Sequence, residues 1–142
     1  MAVIRTIIGD TGAIVSAIKG NEHDHLWASE NFKRFPKPIV TCEAVISESC
    51  FLLGRSQGSQ QDLLTLIVAG IIKIDFSLTA EIEPVRALMN KYSNVPMSLA
   101  DACLVRMSEL VKDSAIFTID SDFHIYRRHR TGRLPLIMPD RM

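Results

Sequence analysis

What this chain of 142 residues has little of narrows its class first. No apolar run approaches the ~18–20 residues needed to cross a bilayer. The start lacks the basic opening, long apolar segment and small-residue cleavage site of a secretory signal. A cytoplasmic protein with no membrane role is the expectation. Cysteine is scarce: Cys42, Cys50 and Cys103 stand far apart, an odd number with no Cys-x-x-Cys pair. That argues against a disulfide framework and against a thiolate zinc site, and leaves buried thiols in a reducing compartment. The four histidines offer no zincin-type spacing; His23 and His25 share a polar stretch, and His124 and His129 lie near the tail.

Charge of one sign is also lacking overall, since 16 Lys/Arg balance 16 Asp/Glu, but the placement is uneven. Residues 1–122 hold 11 basic against 15 acidic side chains, whereas 123–142 hold five Arg against one Asp. An acidic body with a basic tail suits an anionic partner approaching from one side, or else a merely solvated tail.

With 47% apolar residues the composition is that of a globular protein, and the length predicts one domain over 1–142. Ile4 to Ile8 is a short β-branched run without polar alternation, as expected of a strand buried on both faces. Helical patterns follow over Thr11–Lys19 and through NEHDHLWASENFKRF, and PIV makes a brief second strand. Thr41 is a good N-cap for a helix running to Leu53, before Gly54. SQGSQ reads as a loop, Gln60–Ala69 as a helix, IIKID as a third strand and Leu78–Tyr92 as a helix. Ser98–Lys112 is a long amphipathic helix, SAIFTID a fourth strand and LPLIM a fifth. Strands alternating with helices predict an α/β fold, a parallel sheet covered on both faces.

In such sheets the active site lies outside the carboxyl ends of the strands. Asp10 follows strand one and Asp120 strand four, while Glu48 and Asp101 lie on helices after strand two and before strand four. Each acid also has a plain structural use. Asp10 could cap a helix, SLAD around Asp101 is an acceptable capping box, and Asp120 and Asp122 could be turn residues. Glu48 falls between Ala44, Val45, Phe51 and Leu52 in helical projection, so it is expected to face the interior or a cleft. Glu43 lies on the flank near the first turn, where it suits the helix dipole.

Several carboxylates in one cleft stay ionised together only around a cation. Oxygen-only ligation favours a hard ion, Mg²⁺ or Mn²⁺, held with waters and substrate phosphate. Metal-assisted phosphodiester hydrolysis is the chemistry implied. The Asp-Thr-Gly of residues 10–12 is also the signature of aspartic proteases. Those are β-rich and need a second such turn, which this chain would have to borrow from another copy. A haloacid-dehalogenase phosphatase would need Asp at position 12, which is Gly.

Four segments, DTGAIVS, TCEAVISESCFLL, SLADACLVRMSE and FTIDSDFHIYRR, together resemble the PIN-domain ribonucleases, especially the VapC-like toxins of bacterial type II toxin–antitoxin systems. The resemblance covers nearly the whole chain. It implies a three-layer α/β/α fold around a parallel sheet of about five strands. By the same resemblance Asp10, Glu48, Asp101 and Asp120 form an acidic quartet holding Mg²⁺ or Mn²⁺, with Asp122 as an auxiliary. Thr11 and Thr118 fall where the family has hydroxyls near the site. Many relatives carry the glutamate about three residues after the Thr that opens this helix. Here Glu48 stands seven after Thr41 and Glu43 two, so either could be the second acid. Arg127, Arg128, Arg130 and Arg133 are the candidates for gripping RNA phosphates. A homodimer and a cognate antitoxin partner are implied. A PIN-like module that binds RNA or protein without cutting is the alternative.

Overall fold

The computed structural model describes residues 3–54 and 59–140. A parallel sheet of five strands forms the centre, in the order β3-β2-β1-β4-β7. These strands are β1 (Thr6–Gly9), β2 (Ile39–Thr41), β3 (Ile72–Ile74), β4 (Ser114–Phe117) and β7 (Leu136–Ile137). Six helices accompany them: α1 (Thr11–Ile18), α2 (His25–Arg34), α3 (Glu43–Leu53), α4 (Ser59–Val68), α5 (Ile82–Lys91) and α6 (Leu99–Leu110). The expected three-layer α/β/α arrangement is what the chain adopts.

The central strands are apolar on both faces because both faces are covered. Ile8 pairs in register with Val40 and Ile116, and all three point into the larger core with Val45 of α3 and Leu104 and Val105 of α6. Ile7, Ile39 and Phe117 point the other way, where Ala13 of α1 and Ala28 of α2 close over them. Trp27 and Phe35 pack on the Phe117 ring at centroid distances of 5.3 and 4.9 Å.

Several boundaries differ from the sequence reading. The first strand begins at Thr6, and Ile4 is exposed. Thr41 is not the cap of α3: it ends β2 with its hydroxyl donating to the Gly9 carbonyl at 2.8 Å, and Cys42 caps the helix without a side-chain hydrogen bond. The second helix starts at His25 and the fifth at Ile82, each after a stretch of turns. The first residues of the SQGSQ loop lie outside the described residues, and Ser59 and Gln60 are already helical. The basic tail is built rather than loose. Arg127–Arg128 (β5) pairs antiparallel with Gly132–Arg133 (β6).

In sheet order the chain runs outward from β1 to β3 on one side, then returns to place β4 and β7 on the other. The reversal falls between β1 and β4, where parallel α/β sheets open a crevice at their carboxyl ends. Asp10 and Thr118 are the residues that leave those two strands.

Candidate active site

Asp10 follows directly on β1 and is 5% exposed. One of its oxygens accepts from the Thr11 backbone N–H at 2.7 Å, and the other accepts from the Thr118 hydroxyl at 2.6 Å. Thr118 Oγ1 in turn accepts from the Asp120 N–H at 3.0 Å. One hydroxyl thus ties the ends of β1 and β4 together and fixes the start of the next turn. Gly12 is what lets the two come this close, since a Cβ there would sit 2.9 Å from Ile119 Cγ1.

Asp101 lies in the first turn of α6, capped by Ser98, whose hydroxyl oxygen accepts from the Asp101 N–H at 3.0 Å. Its carboxylate accepts from the Tyr126 hydroxyl at 2.8 Å. Tyr126 is fully buried, edge-on to Tyr92 and Phe123, so its hydroxyl is aimed by packing. Asp120 Oδ1 accepts from the Asp122 N–H at 2.9 Å and starts the short 3-10 turn Ser121–His124. Capping and site membership are therefore not alternatives here. Asp10 and Asp120 each use one carboxylate oxygen to hold the local backbone and sit in the acidic group as well.

The electrostatics tie the acids to one another. Asp10 is pushed up to about 7, first by burial and then by Asp101 and Asp120, against the pull of Thr118 and Thr11. Asp101 is raised by burial and by Asp120 and Asp122, opposed by Tyr126 and Ser98. Glu48 is raised by partial burial and by Asp101. Among the described residues no Lys or Arg pairs with Asp10, Glu48, Asp101 or Asp120. Holding Asp10 ionised at neutral pH costs roughly 4 kcal/mol on this shift.

Glu48 corrects one expectation. It does not face the interior: it is exposed on α3, as are Phe51 and Leu52, and the buried line of that helix is Val45, Ser49 and Leu53. It reaches the acidic group from the rim, through Asp101. Glu43 instead lines an apolar pocket beside Cys42 and Cys103. Thr11 is buried with its hydroxyl unpartnered in the described structure, next to Asp10.

The arginines divide. The Arg127 guanidinium folds back to donate to the carbonyls of His124, Ile125 and Tyr126, and Arg128 donates to the Ser108 carbonyl. Arg130 and Arg133 are exposed, Arg130 at a backbone φ of 76°.

A hard divalent cation fits this donor set by chemistry. All the donors are oxygens, burial and then mutual repulsion raise three of the acids, and among the described residues no Lys or Arg pairs with them. The set is not closed in advance, because among the described residues no three His, Cys, Asp or Glu side chains converge to metal-binding distance. That matches a Mg²⁺-type ion, which takes one or two carboxylates and keeps several waters.

Comparison with known proteins agrees with this geometry. The PIN domain family model matches residues 7–128, from β1 through the quartet to the first strand of the basic hairpin. The chain belongs to the PIN domain family. It is also 26% identical over 132 residues to Ribonuclease VapC26 of Mycobacterium tuberculosis, covering 92% of this chain and 93% of that protein. The residue that sequence reasoning passed over is Tyr126, which holds Asp101; Ser98 caps α6 as the SLAD capping box predicts. Tyr126 stands four residues after Asp122 in a stretch dominated by charge, and nothing local marks it.

Proposed function

We propose that this PIN-domain protein is a Mg²⁺- or Mn²⁺-dependent endoribonuclease that hydrolyses RNA phosphodiester bonds. The observation that carries it is the mutual approach of Asp10, Asp101 and Asp120 at the β1–β4 reversal, with no Lys or Arg paired to them among the described residues. The likeness to a VapC ribonuclease supports the same reaction. Bound among these acids, the cation would lower the pKa of attacking water and offset charge on the phosphate. Asp10 and Asp101 would supply its main ligands, with Asp120, Asp122 and Glu48 completing the shell or holding water. Thr118 and Tyr126 keep Asp10 and Asp101 oriented, and Thr11 lies buried beside Asp10. Arg130 and Arg133 would hold flanking phosphates, and Arg127 and Arg128 mainly shape the hairpin that presents them.

The VapC-like character supports a cytoplasmic toxin with a cognate antitoxin. Exposed Phe51 and Leu52 on α3 and Val68 on α4 support a homodimer through that edge. No helix among the described residues is long and apolar enough to cross a membrane. A second reading is a PIN-like module that binds RNA or protein without cutting. Incubating the protein with a defined single-stranded RNA, with and without Mg²⁺ or Mn²⁺, separates the two. Cleavage that needs the ion and is lost in Asp101→Asn supports the nuclease; retained RNA binding without cleavage supports the module.

A further inference from the structure

The basic hairpin carries a charge arrangement that its own contacts leave unbalanced. Arg127 of β5 and Arg133 of β6 stand directly opposite each other in the antiparallel pair. Like charges so placed repel, with Cβ atoms about 5 Å apart. Among the described residues neither arginine is ion-paired with an acid. Three backbone carbonyls hold the Arg127 guanidinium, which fixes its place without cancelling its charge. Both arginines line one cavity of about 380 Å³, together with Phe123, His124, Leu134 and Leu136. Phe123 and Leu134 are buried and Arg133 is exposed, so an apolar floor lies under a cationic rim.

This cavity is joined to the acidic group. His124 and Leu136 also line a second cavity of about 470 Å³, which includes Ser121 and Asp140. Ser121 follows Asp120 directly and opens the 3-10 turn that carries Asp122 and His124. The two cavities therefore form one track, from beside Asp120 past His124 to the arginine pair. Asp140 is exposed on the part away from the arginines, so an anion belongs at the arginine end.

We propose that this cavity is a subsite for one unpaired nucleotide flanking the bond to be cut, with its phosphate between Arg127 and Arg133 and its base on His124 and Leu136. The cavity and its unbalanced arginines stand on the fold alone; RNA as the ligand rests on the nuclease reading above. A bridging phosphate turns the arginine repulsion into two charge-assisted attractions, and guanidinium forks match phosphate oxygens. The apolar floor takes the flat base that the phosphate brings, and the His124 ring offers it a stacking partner. Bases in a duplex are paired and stacked inward, so only a splayed nucleotide can enter. Small-molecule sites span ~300–1,000 Å³, and a cavity of about 380 Å³ is at the end of that range that suits a single nucleotide. Single strands and loops are thereby the substrate class, and continuous helix is excluded.

The test measures binding of the full-length protein to a short labelled single-stranded RNA by fluorescence anisotropy, in EDTA so that nothing is cut. The same sequence as a perfect duplex is the comparison, and the single strand should bind at least ~10-fold tighter. Arg133→Glu should weaken single-strand binding at least ~10-fold and lower the salt slope by about 0.7 or more. Its melting temperature should stay equal or rise, because Glu opposite Arg127 replaces a like-charge pair by an opposite one. His124→Ala should weaken the single strand at least ~5-fold, with a smaller change of salt slope than Arg133→Glu gives. A 4-thiouridine in the RNA, irradiated in the complex, should cross-link at His124 or Leu136 when mapped by mass spectrometry. Equal affinity for strand and duplex, parental binding by Arg133→Glu, or cross-links at other residues only would each overturn the proposal. If these binding results hold but the protein cuts no RNA with Mn²⁺, the nuclease reading fails and the subsite stands. Cleavage by the parent, with parental binding in both variants, keeps the nuclease and removes the subsite.

Discussion

Thr118 donates its hydroxyl to Asp10 Oδ2 at 2.6 Å across 108 positions of chain, and the Thr118 hydroxyl oxygen accepts from the Asp120 N–H. Thr118→Val keeps the shape and removes both bonds. A buried carboxyl left without its donor costs ~1–3 kcal/mol, readable by urea denaturation. Cleavage should fall about 10–100-fold, the usual loss when the group that orients a metal ligand is removed. Thr118→Ser should restore most of both. Valine with parental stability and rate would remove Thr118 from any role.

The second prediction concerns pH in metal-free protein. Asp10 is raised from 3.8 to about 7 on folding, so between those values the native state binds the proton more tightly than the unfolded chain. Stability from this residue is full below pH 4 and is lost as pH rises toward 7. The melting temperature should therefore decline across that window, and Mg²⁺ or Mn²⁺ should recover part of the loss at pH 7. Asp10→Asn should flatten this part of the profile. A decline that persists unchanged in the Asn variant would assign it to other groups.

Tyr126→Phe tests the other oriented acid. The ring keeps its packing on Tyr92 and Phe123 while Asp101 loses its donor. The expected signature is weaker activation by Mn²⁺, by about tenfold or more in the concentration required. The unfolding free energy should fall by no more than about 1.5–3 kcal/mol, the contribution of a hydrogen bond to a charged group. Normal Mn²⁺ dependence would reduce Tyr126 to a core residue.

The sheet and its order of strands and helices were legible because buried β-branched runs and helical periods are local signals. The nearness of Asp10 to Asp120 was legible because strand ends in a parallel sheet point to one edge. Thr41 misled because a hydroxyl suits a cap equally well when it is instead bonded to the Gly9 carbonyl of the next strand. Glu48 misled because the projection treated Phe51 and Leu52 as core, whereas both face outward on α3. The hairpin over residues 127–133 was hidden because its turn uses positive φ at His129 and Arg130, where no glycine advertises it.

The tail arginines should separate into two kinds. Arg130→Ala with Arg133→Ala should raise the apparent KM for RNA and flatten its salt dependence by about one to two charges' worth, with little effect on stability. Arg127→Ala should instead destabilise, because its guanidinium serves three carbonyls of the 3-10 turn and its end. An unchanged salt slope in the double variant would return the exposed pair to the role of solvated surface.

The last prediction decides between the two glutamates of α3. Glu48 is exposed, yet Asp101 pushes its carboxyl up, so the two acids share one rim of the site. Glu43 lies about 140° round α3 from Glu48, at the pocket formed with Cys42 and Cys103. Glu48→Gln removes a charge that Asp101 repels and no buried hydrogen bond. Unfolding free energy without metal should stay within ~0.5 kcal/mol or rise slightly. Cleavage should fall by about 10–100-fold, because a cation held by few carboxylates depends on each. Glu43→Gln should cost about 0.3–1 kcal/mol from the first turn of α3 and leave cleavage within a few-fold of the parent. Side-by-side denaturation curves and Mn²⁺ titrations of the two variants give four numbers. If the large loss of cleavage follows Glu43 instead, the second acid approaches from the thiol pocket, and the rim position of Glu48 is surface chemistry only.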